Sequence, residues 1–381
     1  MRSVGLLCSL LLCLEGCATA PADKGETGAE VPPGGGGGQS GGLDDQNRFV
    51  FIADGVPVVT DTDGDPVVPI ELSTDDYTSL VYVYINRTGT AVGFSLSLDT
   101  RTIQPFGVRV EPTAGVLVAQ HINDVVTRSK GPIPDATGDA WGWIQYGGDT
   151  SPTNLIRLTT LEGEPLPGDA VAGWTQVWGY GFFADGRFVT IYSDNSTDGP
   201  LWALDPDTES SAQLTDTTFF DFIEVGPDDR VLGTIIQGFG IFDPATGTTT
   251  EHPIFPGYES GACPTAGPRG DDPLCYFEMV HPDWSADGRK VVFMGRAGLV
   301  TYDDDDGDIF VHDIDSGETV RITDDVERDW TPRMSADGMW VYWLRESTTL
   351  VRKRADGTGE IEVIWAGASA SGQLGVAWPS R

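Results

Sequence analysis

Short β-branched runs, Asp- and Gly-bearing turns, and one segment that recurs along the chain predict an all-β fold for these 381 residues: a β-propeller of six blades. The recurring segment reads GYGFFADGRFVTIYSD (179–194), FIEVGPDDRVLGTIIQ (222–237), HPDWSADGRKVVFMGR (281–296) and TPRMSADGMWVYWLRE (331–346). The copies align on turns beginning at Ala184, Pro227, Ala286 and Ala336, which lie 43, 59 and 50 residues apart. A weaker copy, FGVRVEPTAGVLVAQH (106–121), has its turn at Pro112.

Each copy reads as a strand, a tight turn, an apolar strand, a third strand ending in an Asp-rich turn, and a short fourth strand. LWALDPDTESSAQLT (201–215) and IFVHDIDSGETVRIT (309–323) are examples of the third and fourth. The tight turn needs a residue at positive φ, which Gly supplies without steric cost. No stretch keeps apolar residues at i, i+3, i+4 and i+7 for three turns, so helices should be rare. The C-terminal GQLGVAWPSR (372–381) begins like a first strand and stops. It is therefore expected to complete a blade begun near the N-terminus, at LVYVYIN (80–86) and GFSLSLD (93–99). Residues 48–105 are an N-terminal β region and 106–381 the propeller proper. Seven blades, or a propeller preceded by a small β-sandwich, are the alternatives.

The N-terminus reads as an export signal. Arg2 precedes an apolar run from Val4 to Leu14, too short to span a bilayer but of signal-peptide proportions. Leu14-Glu15-Gly16-Cys17 resembles the bacterial lipoprotein lipobox, although Glu15 departs from its small or apolar preference. That resemblance implies a signal peptide over 1–16 and a lipid on Cys17. Ala18 resembles the residue that sends enteric lipoproteins to the outer membrane. Residues 17–47, with their Gly- and Pro-rich composition, read as a flexible tether. The strings in it that match G-x-S-x-G and G-x-G-x-x-G neither follow a strand nor open a helix, and carry no chemistry.

Composition narrows the partners. Lys+Arg 23 against Asp+Glu 58 gives a net charge of −35, and the longest basic cluster is the short Arg352-Lys353-Arg354, which argues against nucleic acid and anionic membrane surfaces as partners. Much of that acid is Asp beside Gly, Pro and Thr in turns, where short side chains cap the backbone. Cys263 and Cys275 are the two cysteines left in the mature domain. In an oxidising compartment, thiols twelve positions apart predict a disulfide rather than a metal pair.

WSADGRKVVFMGR followed by DIFVHDIDSGETVRIT resembles the WD-like repeat of TolB-type periplasmic propellers. The usual repeat is a Trp-Ser-Pro-Asp-Gly turn, an apolar strand, an Asp-Ile-Tyr-type strand and a Leu-Thr ending. Ala replaces the turn Pro at Ala184, Ala286 and Ala336, and the resemblance covers roughly residues 106–381.

Two acidic runs are candidate calcium ligands, because hard oxygen donors at alternate positions with a Gly bend suit that ion. The stronger is Asp303, Asp304, Asp305, Asp306 and Asp308; the weaker is Asp61, Asp63 and Asp65. Neither has EF-hand spacing, and both also read as solvated turns. No hydrolytic constellation is visible. His281 and His312 share a repeat and could approach each other, although a turn His and a strand His is the plainer reading. Trp141 and Trp143 could stack on a sugar or a partner, with packing between blades the plainer role. The chain is thus expected to be a non-enzymatic envelope lipoprotein whose propeller binds a protein or peptide. The alternative is a calcium-dependent carbohydrate-binding or lyase/hydrolase-type propeller. Cys17→Ser is expected to abolish incorporation of labelled palmitate in cells, and a variant that kept the label would refute the lipobox.

Overall fold

The computed structural model describes residues 48–377, apart from 54–55, 62–65, 73–76, 78, 99–101, 111–116, 123–128, 147–153, 168–170, 175, 194–197, 236–237, 255–275, 298–306, 347 and 368–373. All described residues belong to one compact unit, and every regular element among them is a strand. The strands form six sheets, arranged as a β-propeller. All pairings are antiparallel except one.

The sheet that holds the N-terminal residues is double. Gly375–Ala377, Arg48–Ala53, Val56–Thr60 and Pro66–Leu72 form one four-stranded half. Ser79–Ile85, Ala91–Ser97, Ile103–Arg109 and Leu117–His121 form the other, joined to the first by parallel pairing of Ile70 with Leu117 through Leu72 with Ala119. Each half turns its own innermost strand toward the axis. Six hydrogen-bonded sheets therefore surround the channel, one of them eight-stranded, one five-stranded and four four-stranded, in the six-bladed arrangement that the sequence predicts.

The ring closes through the C-terminal strand, as the sequence implies, but at a different place. Gly375–Ala377 pairs antiparallel with Arg48–Val50, not with residues 80–86 or 93–99. Arg48–Ala53 is buried at every position, as a strand covered on both faces must be. The strand Ser79–Ile85 is already the innermost strand of its own unit. It packs beside Gly375, where an added Cβ would meet Val50 at 2.7 Å and Ile85 at 3.1 Å.

The repeated turn carries the local order. In the copy at Ser285, the Gly288 N–H donates to the Ser285 carbonyl and the Ser285 N–H to the Lys290 carbonyl, both at 2.9 Å. The Asp287 carboxylate accepts the Arg289 N–H at 3.1 Å. Gly186, Gly288 and Gly338 take positive φ in their copies, and Asp229 takes the same place at φ 65°. Asp tolerates this left-handed conformation better than most residues. Asp229 gains a further bond, accepting the Ala184 N–H of the neighbouring unit at 2.8 Å.

The repeat tryptophans fill the space between units. Trp284 is fully buried, lies under the Arg230 guanidinium at 4.9 Å, and donates its indole N–H to the Glu224 carbonyl at 3.2 Å. Trp343 donates to buried Asp329 at 2.6 Å. Trp141 and Trp143 are fully buried as well, which removes the idea that they stack on a ligand. Phe49 and Phe51 pack with Tyr342 and Leu344 and so seal the closing seam.

Close packing leaves no room for an added methyl at Gly142, whose Cβ would press into the Phe188 ring held between Phe182 and Tyr180. Gly142→Ala is expected to destabilise the fold by about 1–3 kcal/mol, read as a lowered Tm in thermal unfolding.

Candidate functional site: the axial cavity

Six innermost strands are interrupted at the same point, two residues before the side chain that precedes the turn pair. Register breaks fall at Val81/Val83, Lys130/Ile133, Trp178/Tyr180, Phe220/Ile223, Val280/Asp283 and Trp330/Arg333. Tyr82, Gly131, His281 and Thr331 adopt positive φ there. A bulge of this kind re-aims the side chains that follow it. In each strand the residue that follows by two positions or so, namely Tyr84, Ile133, Gly181, Glu224, Asp283 or Arg333, lines one axial cavity of about 130 Å³.

Three of these six positions are charged and lie on consecutive units. Asp283 is 2 % exposed, and its Oδ2 accepts the Met334 N–H at 3.0 Å. Burial pushes its carboxyl above the usual range, while Arg333 and backbone N–H groups pull it back. Glu224 is pushed up to about 7 by burial, pulled down by Arg333, and raised again by Asp283. Arg333 donates from Nε to the Leu374 carbonyl at 2.7 Å and from Nη1 to the Pro332 carbonyl at 3.3 Å. One guanidinium thus ties the closing strand to the charged centre.

The rim is made by turn residues. Arg87 reaches Asp229 across the mouth at 3.8 Å, with 24 % of its side chain exposed. Its Nη2 is buried without a hydrogen-bond partner. Burial lowers its affinity for the proton, opposed by Asp229, Glu224 and Asp228. The Tyr180 hydroxyl is buried and donates to the Tyr84 hydroxyl beside it. Burial raises both phenols well above their usual value. His281 also lines the cavity, its ring 4.5 Å from Phe222.

His312 does not meet His281. It sits on the third strand of its unit, 6.0 Å from His252 and 5.3 Å from Phe239, with Nδ1 bonded to Thr319 at 2.9 Å. Burial and the neighbouring His252 push it down to about 4. Of the stronger calcium candidates only Asp308 is described. It is held by Arg321 at 2.6 Å and Thr323 at 3.3 Å, and burial pushes it up to about 6. Asp303, Asp304, Asp305 and Asp306, and likewise Asp63 and Asp65, lie outside the described residues. Asp61 follows the strand Val56–Thr60. Cys17, Cys263 and Cys275 also lie outside them. Among the described residues no three His, Cys, Asp or Glu side chains gather as a metal site.

The charged centre is absent from the sequence-derived candidates, yet its signal lies in the repeat. Glu224, Asp283 and Arg333 occupy one column, the place before Val225, Trp284 and Met334 in the aligned copies. A charge recurring in an otherwise apolar strand position is what marks it.

The fold is that of a β-propeller. No protein-family model matches the chain, and no curated protein matches it. A protein from Bacteroides fragilis described as a 6-phosphogluconolactonase is similar in structure, with a TM-score of 0.53 at 12% identity over 89% of this chain and 100% of its own. A puromycin hydrolase gives 0.53 at 15% identity over 85% of this chain, which spans 53% of the hydrolase. TolB from Acinetobacter baumannii gives 0.47 at 14% identity, over 79% and 67%. At these identities the likeness is one of fold.

Glu224 sets a pH signature. Between its ordinary carboxylate value and about 7, the folded protein holds a proton that the unfolded chain has released, so stability falls as pH rises through that window. The Tm of the wild type is expected to fall relative to Glu224→Gln as pH rises from about 4.5 to about 7, and to run parallel above it.

Proposed function

We propose that this protein is a cell-envelope lipoprotein, anchored through Cys17, whose propeller binds a protein or peptide partner at the mouth of the axial cavity without transforming it. The observation that supports the reading most is the charged column Glu224, Asp283 and Arg333 at the converging ends of the innermost strands. Concave, partly charged sites fed by several loops are where rigid scaffolds present binding groups. Among the described residues that line the cavity there is no serine, threonine or cysteine to act as a nucleophile. The net charge of −35 favours a partner with basic surface around the segment that enters.

A second reading, an envelope lyase or hydrolase, has one observation in its favour. Glu224 near neutrality beside a second carboxylate is an arrangement that acid–base catalysis uses.

Ala184 is exposed on the rim, so Ala184→Trp should obstruct the mouth while leaving the core intact. The tagged mature protein is expected to capture a reproducible partner from envelope extract, with Ala184→Trp reducing capture at least about fivefold. No reproducible partner, or capture indifferent to Ala184→Trp, would refute the reading. Turnover of a bound molecule abolished by Glu224→Gln would replace it with the second.

A further inference from the structure

Away from the axial mouth, and independent of the function proposed for it, we propose that His252 and His312 form a two-imidazole site for a divalent ion of the zinc and copper class, placed between two neighbouring sheets. His252 lies on the outermost strand of its sheet, Thr248–Pro253, opposite Phe239 on Gly238–Asp243. His312 lies on Gly307–Asp313 of the following sheet. Strand alternation puts Phe310, His312 and Ile314 on one face, and Phe310 and Ile314 belong to the same apolar cluster as Phe239 and Ile254. The two imidazoles therefore meet across the seam between the sheets, with ring centres 6.0 Å apart and planes at 73°.

That separation suits a shared ion. An ion about 2.0–2.1 Å from one nitrogen of each of two imidazoles holds the ring centres roughly 5–6.5 Å apart, as the angle at the ion opens from tetrahedral to linear. Phe239 packs on both rings, stacked on His252 at 4.9 Å and edge-on to His312 at 5.3 Å, and so restricts their rotation.

A buried nitrogen supplies the second observation. His312 is 5 % exposed, its Nδ1 is hydrogen-bonded to the Thr319 hydroxyl at 2.9 Å, and its Nε2 is buried without a hydrogen-bond partner. An unmet polar atom in an apolar seam is costly. With the proton on Nδ1 and donated to Thr319, Nε2 presents a lone pair. Metal-ligating histidines adopt this arrangement, one nitrogen on the ion and the other held by an outer partner. Burial keeps both rings unprotonated at neutral pH, as ligands must be. Arg230 opposes a cation at His252, but it is committed to Asp228 at 2.8 Å and to the Gly288 carbonyl at 2.7 Å; Asp313 favours a cation at His312.

Imidazole nitrogen selects borderline ions such as Zn2+ and Cu2+ over Ca2+, which takes oxygen ligands. His252 is half-buried, so an ion reaches the site from solvent. Two protein ligands leave the remaining positions to water, which makes the ion exchangeable. Bound there, it clips the outermost strand of one sheet to the third strand of the next.

The test uses the tag-free mature protein titrated with ZnCl2. The chain has 4 histidines, so their imidazole NMR signals can be followed one by one. The signals of His252 and His312 are expected to move together and saturate, those of His121 and His281 to stay in place, and Tm to rise at saturation. His252→Phe, on the outer strand, is expected to abolish the saturable step with unchanged circular dichroism. Thr319→Val is expected to weaken binding about tenfold by releasing Nδ1 of His312. Movement of the His121 or His281 signals in place of these, Zn2+ binding unchanged in His252→Phe, displacement of Zn2+ by millimolar Ca2+, or no binding at millimolar Zn2+ would each overturn the proposal.

Discussion

Arg333 is where closure of the ring and the chemistry of the channel meet. Its Nε bonds the Leu374 carbonyl just before the closing strand, and its charge offsets the burial of Asp283 and Glu224 on the two preceding units. Removing one partner from such a group leaves buried charge uncompensated, which is far costlier than the pair is stabilising. The seam depends on more than this bond, since Phe49 and Phe51 pack across it against Tyr342 and Leu344. The guanidinium couples the residue before the C-terminal strand to the charged centre.

The bulge on six innermost strands explains why that centre exists. A regular strand would alternate its side chains between the two faces that touch neighbouring units, and none would converge on the axis. Six strands break register near the same place, and positive φ at Tyr82, Gly131, His281 and Thr331 accompanies the break. Non-glycine residues in that region carry a backbone cost of about 1–3 kcal/mol each. Repetition of the cost around the ring ties the bulge to the placement of the axial side chains. Pro282 and Pro332 directly follow two of these residues and restrict the bulged backbone further.

The acid of this chain divides into two kinds with opposite electrostatics. Turn carboxylates such as Asp205, Asp313 and Asp356 accept backbone and hydroxyl hydrogen bonds in solvent and are held below the usual carboxylate range. Asp283, Asp308 and Asp329 are buried and Glu224 is half-buried, and all four are pushed above it, against the pull of Arg333, Arg321 and Arg345. Of the second kind, Glu224 and Asp283 line the axial cavity.

Residues 179–194, 222–237, 281–296 and 331–346 by themselves determined the repeat, its Asp-Gly turns and the all-β class, because turn chemistry and strand alternation are local. The buried role of Trp284 and Trp343 was legible for the same reason. Tertiary structure decided which strand receives the C-terminus, since Arg48–Ala53 and Ser79–Ile85 are both apolar strands and only packing on both faces separates them. It also decided the double sheet, through a parallel contact between Ile70–Leu72 and Leu117–Ala119 that has no counterpart in the repeat. The candidate site belongs to the same class: Glu224, Asp283 and Arg333 stand 59 and 50 residues apart, and it is the ring, through bulges that turn each of them toward one axis, that makes them neighbours.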